Sequence, residues 1–316
     1  MKTSKNKKYT KTSKNKYSFI NSDKMSFQEK YKKLIKLQCS PSSKKKSNKS
    51  YSCLSDETLF KLKNMWNERH PDAIIKFKSP FDIWNSLNLY MSNVCNKESC
   101  WLMQSFTNGT MKKVLEGSFA PKSPDQWKIN PNEWLSSVDI TNVMRQYEDA
   151  YSCFKFLGPS PIDFDKHQMG ESCVWPELCN FQLKDEMNKG ITKVGVIFNL
   201  DPHYKSGSHW VSLFINIKKS DIFFFDSAGE KIPKQIKELV DRIIEQGKKL
   251  SINFTFDQNH PVEHQFGNTE CGIYSLFFII YMLEDAINGD KLKNKNKIYK
   301  DEYIEKYRKV FFNQDL

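Results

Sequence analysis

The chain has 316 residues, 39% of them hydrophobic and 27% charged, enough for one large domain or two small ones around a sizeable core. Its formal net charge of +12 sits at one end: residues 1–50 carry 16 Lys against Asp23 and Glu29, so the remainder is slightly acidic. No N-terminal apolar stretch resembles a signal peptide, and the longest apolar run, Gly272 to Leu283, is too short to span a bilayer. No membrane-spanning helix is expected, and a soluble product of the cytosol is.

The first 50 residues are low in complexity, with Lys-Thr-Ser-Lys-Asn-Lys at Lys2–Lys7 and again at Lys11–Lys16. Such a segment buries too little apolar surface to order itself, so a disordered basic tail is predicted over 1–50. One short amphipathic helix is expected around Phe27 to Leu37, and Pro41 to Ser50 reads as a linker. Lysine without arginine suits non-specific attraction to nucleic-acid phosphates more than base readout. A purely solubilising tail explains the same composition.

Residues 51–118 read as a helical module. Ser55-Asp56-Glu57 is a helix start, with Leu59, Leu62 and Trp66 at helical spacing and His70-Pro71 as its stop. Pro80 to Met91 is a second helix with Phe81, Ile83, Trp84, Leu87 and Leu89 to bury, and Cys100 to Met103 begins a third. Nothing in this module carries chemistry, which leaves packing or substrate positioning as its role.

The Pro- and Ser-rich stretch from Phe119 to Pro131 marks a boundary, and 119–316 reads as a catalytic domain. Ser136 caps a helix whose stripe is Ile140, Val143, Met144 and Tyr147. Gly158-Pro159-Ser160-Pro161 reads as a turn, and Val194 to Phe198 as a central strand. Strands at 210–217 and 222–226, joined by the polar turn Lys218 to Asp221, form a hairpin. Pro233 opens a helix with Ile236, Leu239, Val240, Ile243 and Ile244 on one face. Ile252 to Phe256 is a further strand, and Cys271 to Leu283 a buried helix. The expected class is α+β, a small mostly antiparallel sheet packed against helices.

Eight cysteines in a long chain without a secretion signal are expected to be free thiols. Cys95/Cys100 and Cys173/Cys179 lack the spacing of zinc hairpins, so no structural metal is expected.

Chemistry gathers in one ordered set: His209-Trp210, Asp226, Gln265, Cys271-Gly272. A thiol nucleophile needs a base, the base an orienting carboxylate, and the acyl oxyanion a donor. Cys271 opens an apolar helix, where unpaired N–H groups and the helix dipole favour an anion. His209 begins a strand and is the candidate base. Asp226 ends the next strand and would hold the imidazole tautomer. Gln265 would donate its amide N–H to the oxyanion beside the Cys271 amide. Each residue alone has a plainer explanation: a structural thiol, a satisfied histidine, a turn aspartate, a solvated amide. Their joint order and spacing outweigh those explanations.

With those residues, the chain resembles the adenain/Ulp1-like cysteine proteases. The 17-residue step from His209 to Asp226, the six-residue step from Gln265 to Cys271 and the Trp after the His are similar to that family's pattern. The likeness covers roughly 120–316. Trp134-Leu135 before a helix is similar to the family's substrate-binding helix. Cys100-Trp101-Leu102 and Asn199-Leu200-Asp201 leading into Gly207-Ser208-His209-Trp210 resemble the viral branch, the polyprotein-processing proteases of African swine fever virus and giant DNA viruses. The resemblance implies cleavage after Gly-Gly in structural polyproteins during virion maturation, without a cofactor, in the virion and host cytoplasm. Were the chain cellular, cytoplasm or nucleus is expected. It also implies that Trp210, a flat indole over the cleft, and Trp134 bind substrate. Glu270 departs from the Asp that SUMO proteases carry before the Cys, and an acid there would oppose the helix effect on the thiol.

Three rivals remain. His260-Pro261-Val262-Glu263-His264 matches the H-x-x-E-H zinc-protease pattern, which works only on a continuous helix, and Pro261 is poorly placed for one. A protease fold that only binds nucleic acid through its tail need not keep all four site residues. A deconjugating enzyme acting on SUMO or ubiquitin-like tails would use the same chemistry and differ in the surface that reads the substrate.

Overall fold

The computed structural model describes residues 37–46, 49–167 and 172–314. The basic tail up to residue 36, and with it most of the helix expected from Phe27, lies outside them. The supposed linker is partly helical: Pro41–Lys46 forms α1, with Pro41 buried. Its Lys45 ammonium donates to the Ala150 carbonyl at 2.8 Å and lies 3.8 Å from the centre of the Tyr151 ring.

The helical module follows as α2 (Asp56–Arg69), α3 (Pro80–Met91), α4 (Glu98–Trp101) and α5 (Lys112–Ser118). Ser55 caps α2 by accepting from the Thr58 N–H, and Leu59, Leu62 and Trp66 are buried as the spacing predicts. On α3 the buried stripe is Ile83, Leu87 and Met91. Phe81 and Leu89, expected inside, are exposed, because they fall on the opposite side of the helix from that stripe. The module has its own apolar cluster, running from Cys39 to Phe119.

Six of the cysteines expected as free thiols are paired: Cys39–Cys53, Cys95–Cys100 and Cys173–Cys179, with Cα atoms 5.2, 5.8 and 6.6 Å apart. Those separations are the ones a disulfide spans. Cys153 and Cys271 remain free. The expectation came from the compartment, whereas the pairing follows from where the backbone brings the residues.

The remainder is built on a five-stranded sheet in the order β1 (Phe154–Pro161), β2 (Lys193–Asn199), β3 (Trp210–Asn216), β4 (Asp221–Phe225), β5 (Thr255–Gln258). The inner β2–β3–β4 meander is antiparallel, and the edge strands β1 and β5 run parallel to their neighbours. The stretch Gly158 to Pro161, read as a turn, is the end of β1; an edge strand tolerates prolines because it owes no N–H on its open side. β5 lies slightly later than the expected 252–256.

Alternation along the strands divides the core in two. Phe156, Ile197, Trp210, Phe214, Phe223 and Phe225 face α6 (Ser137–Ala150) and α10 (Cys271–Leu283). Val196, Phe198, Val211, Leu213, Ile222 and Phe224 face the other way. There they meet α9 (Lys234–Lys249), with α7 (Pro176–Cys179) and α8 (Leu183–Asn188) alongside. α10 is buried on nearly every side, which matches its unbroken apolar sequence. Phe278 on α10 stacks on Phe225 with ring centres 5.0 Å apart. Burial of each such ring contributes about 1.5–3 kcal/mol. Helices α11 (Gly289–Leu292), α12 (Asp301–Ile304) and α13 (Arg308–Phe311) close the chain.

The start of α10 is thus fixed beneath the β3–β4 hairpin. Ser212 pairs with Phe225, so His209 and Asp226 leave the hairpin at the same end.

Candidate active site

His209 stands just before β3, and its imidazole Nε2 lies 2.7 Å from Asp226 Oδ1. Asp226 is buried, and its Oδ1 also accepts from the Ala228 N–H at 2.9 Å. The carboxylate therefore fixes one ring nitrogen and leaves Nδ1 free to point elsewhere. Cys271, 2% exposed and first in α10, lies beside the same ring and acts on it electrostatically. Burial alone would lower the basicity of His209. The hydrogen bonds and charges of Asp226 and Cys271 outweigh it and raise the imidazolium to about 10 from an ordinary 6.5. The three residues form a chain from carboxylate to imidazole to sulfur.

Local sequence explains the placement of His209. Asn199 Oδ1, at the end of β2, accepts from the Asp201 and Ser208 N–H groups and shapes the loop before the histidine. Gly207 there has φ +103°, and a Cβ on it would lie 2.8 Å from Asn199 Nδ2, so only glycine fits. Asp226 is fixed by Asn259, fully buried beyond the end of β5. The Asp226 N–H donates to Asn259 Oδ1, and Asn259 Nδ2 lies 2.7 Å from the Asp226 carbonyl.

Gln265 is buried and tied to the residue after Asp226 rather than directly to His209 or Cys271. Its Oε1 accepts from the Ser227 hydroxyl at 2.7 Å, and its N–H donates to the Ser227 carbonyl at 2.9 Å. Nε2 donates one hydrogen to the Gly267 carbonyl at 3.0 Å, which leaves a second for a ligand. The loop that carries it is held from outside: Asp301 Oδ2 accepts from the Phe266 and Gly267 N–H groups at 2.9 and 2.8 Å. Tyr274, one turn into α10, places its hydroxyl 2.9 Å from the His264 carbonyl and 3.0 Å from Asp301 Oδ1.

Trp210 is largely buried, and its indole N–H donates to the Leu135 carbonyl at 3.1 Å. Both residues close on Gly272. A Cβ there would sit 3.1 Å from Leu135 Cβ and 3.3 Å from Trp210 Cδ1. Trp210, Leu135 and Trp134, the last 39% exposed, line a groove of about 660 Å³ whose other wall includes Pro159, Pro161 and Trp175.

One expectation is corrected here, and one rival is set aside. Glu270 does not face the sulfur as a bare acid: its carboxylate is paired with Arg308, whose guanidinium reaches it at 2.8–3.1 Å. The segment His260–His264 is not helical, as the sequence reading of the zinc pattern required. His260 Nδ1 lies 2.7 Å from the Gly229 carbonyl, and His264 Nε2 lies 2.9 Å from the Leu292 carbonyl. Among the described residues no cluster of three His, Cys, Asp or Glu side chains is spaced to hold a metal. No helix among them is long and apolar enough to cross a membrane.

The catalytic-domain model of the Ulp1 protease family matches residues 180–312, a span that contains all four candidate residues. Residues 180–312 are thus similar to the catalytic domain of the Ulp1 protease family. A relative from Acanthamoeba polyphaga mimivirus, named for thiol protease activity, is 34% identical over 190 residues, 59% of this chain and 60% of its own. The chain thus spans about 60% of the length of that relative. A protein of African swine fever virus named SUMO-1 cysteine protease is 24% identical over 207 residues, 61% of this chain and 74% of its own. The crystal structure of the African swine fever virus protease superposes with a TM-score of 0.63 at 19% identity, covering 88% of this chain and 96% of that one. The shared fold therefore extends beyond residues 180–312 into the N-terminal helices.

Asn259, Asp301 and Arg308, which hold the site, escaped sequence reading. They lie far along the chain from the residues they touch, in segments with no motif. Ser227 stood in plain view after Asp226, but only the folded loop shows its bond to Gln265.

Proposed function

We propose that the chain is a cysteine endopeptidase that hydrolyses the bond after a Gly-Gly pair. The observation that carries this reading is the Asp226–His209 hydrogen bond with Cys271 beside the same ring at the mouth of α10. Cys271 sulfur attacks the carbonyl carbon, and the electron pair moves onto oxygen. The Cys271 N–H and the spare Gln265 N–H hold that oxyanion. Collapse breaks the C–N bond, and His209 imidazolium gives its proton to the leaving amine. His209 then takes a proton from water, which attacks the thioester and releases the acid and the thiol. Asp226 keeps the ring in the orientation both steps need. No step calls for a metal or cofactor.

The close packing of Trp210, Leu135 and Gly272 beside the nucleophile supports glycine at both positions before the scissile bond, where a crowded cleft disfavours side chains. Trp134 lines the groove further out. The viral relatives favour a structural polyprotein as substrate, processed in virions or host cytoplasm, with the basic tail over 1–50 available to nucleic acid. In this reading 51–118 is an accessory module and 119–316 the catalytic domain. A second reading, removal of a SUMO-like or ubiquitin-like modifier, is favoured by the name of the African swine fever virus relative.

The test is cleavage of a Gly-Gly-X peptide beside SUMO and ubiquitin conjugates by wild type, Cys271→Ala and His209→Ala. The proposal expects peptide cleavage by wild type alone. Conjugate cleavage without peptide cleavage selects the second reading, and full activity in Cys271→Ala would falsify both.

A further inference from the structure

The buried ion pair at the start of α10 takes no part in the steps above, yet it joins the residue before the nucleophile to the segment that leads into the groove wall. Arg308 and Glu270 are each 4% exposed. Besides both Glu270 oxygens, the Arg308 guanidinium donates to the carbonyls of Glu133 at 2.8 Å, Thr269 at 3.1 Å and Asn132 at 3.3 Å. Its flat face lies 4.5 Å from the centre of the Trp127 ring. Asn132 and Glu133 lead directly into Trp134 and Leu135, the groove wall, and Glu270 directly precedes Cys271.

We propose that Arg308 is a positioning residue for the nucleophile, which neutralises Glu270 and ties the start of α10 to the groove wall. The inference rests on the cysteine-protease reading. Its physical basis is twofold. A buried carboxylate without a partner is strongly unfavourable, and one beside a thiol opposes loss of the thiol proton. A guanidinium alone among side chains can satisfy a carboxylate and several carbonyls at once, since it carries five N–H donors in a rigid plane. Among the described residues, the other charged or titratable groups facing this end of the helix include His209 and Asp226 from the sheet, Tyr274 on the helix, and Asp301 and Glu302 from the C-terminal segment. None of them changes in the variants below.

The experiment follows iodoacetamide modification of Cys271 in the full chain across a pH series, resolved by peptide mass spectrometry, with kcat and KM alongside. Arg308→Met exposes the thiol to a bare carboxylate, and its alkylation profile moves alkaline by about one pH unit. Glu270→Gln leaves the guanidinium unopposed, and the profile moves acid. The double variant returns close to the wild-type profile. It keeps a lower kcat, by about ten- to a hundredfold, because Asn132 and Glu133 have lost their donor. Opposite shifts that cancel are the mark of charge at the nucleophile; a purely structural pair would not give them. Should Arg308→Met not fold, Glu270→Gln and the double variant carry the comparison. Coincident profiles in wild type and the folded variants overturn the role of Arg308. A wild-type Cys271 no more reactive than Cys153 instead contradicts the protease reading beneath it.

Discussion

His209 and Asp226 meet at 2.7 Å although 17 residues separate them, because the antiparallel β3–β4 pair delivers both to one end of the sheet. That contact, with Cys271 beside the ring, sets the basicity of His209. The imidazolium is raised from 6.5 to about 10, so the charged ring is favoured in the folded state. For a raised group the stabilisation is complete below pH 6.5 and is lost as pH climbs through about 10. Thermal melts of wild type against His209→Gln should therefore show wild type losing relative stability between those limits. The alkaline limb of kcat/KM should lie near pH 10 and move toward neutrality in Asp226→Asn, with kcat lower by on the order of 10²–10⁴-fold. An alkaline limb near 6.5 in wild type would contradict the contact.

Gln265 offers one amide hydrogen after serving Gly267. Gln265→Ala should lower kcat by about 10²–10³-fold, equivalent to roughly 3 kcal/mol, with KM changed little, since the donor acts on charge that develops only in the transition state. Steady-state kinetics on the Gly-Gly-X peptide decide it. A rise in KM at constant kcat would place Gln265 in ground-state binding.

Gly272 is confined by Leu135 and Trp210. Gly272→Ala should destabilise the fold by about 1–3 kcal/mol, the usual effect of overfilling a packed core. It should also lower kcat/KM by about tenfold or more, because the groove wall and the nucleophile are displaced together. Denaturant melts and peptide kinetics measure the two effects separately. Unchanged values in both would show that the wall yields freely.

Much of this arrangement is legible in the chain because local rules agree with the fold. Period-two alternation over 210–217 sends Trp210 and Phe214 to one face and Val211 and Leu213 to the other, as the two core clusters require. Ser136 caps α6 with the full capping box, and Cys271 opens α10. The contacts of His209 with Asp226 and Cys271 follow from the order of those elements. What stayed hidden is long-range. Arg308 reaches Glu270 across 38 residues, and Asn259 reaches Asp226 across 33, with no periodicity to mark either. β1 was obscured by prolines that signal a turn locally but that an edge strand accepts. The disulfides depend on backbone proximity, which neither spacing nor compartment reveals.

The central claim is that one sulfur, served by His209, forms the covalent intermediate. A peptide ending in Gly-Gly with an electrophile in place of the scissile carbonyl tests it directly, read by mass spectrometry of the intact protein and its peptides. The expected result is a single adduct on Cys271 in wild type, none in Cys271→Ala, and formation slowed by at least about a hundredfold in His209→Ala. An adduct on Cys153, or equal labelling of Cys271 with and without His209, would contradict the account.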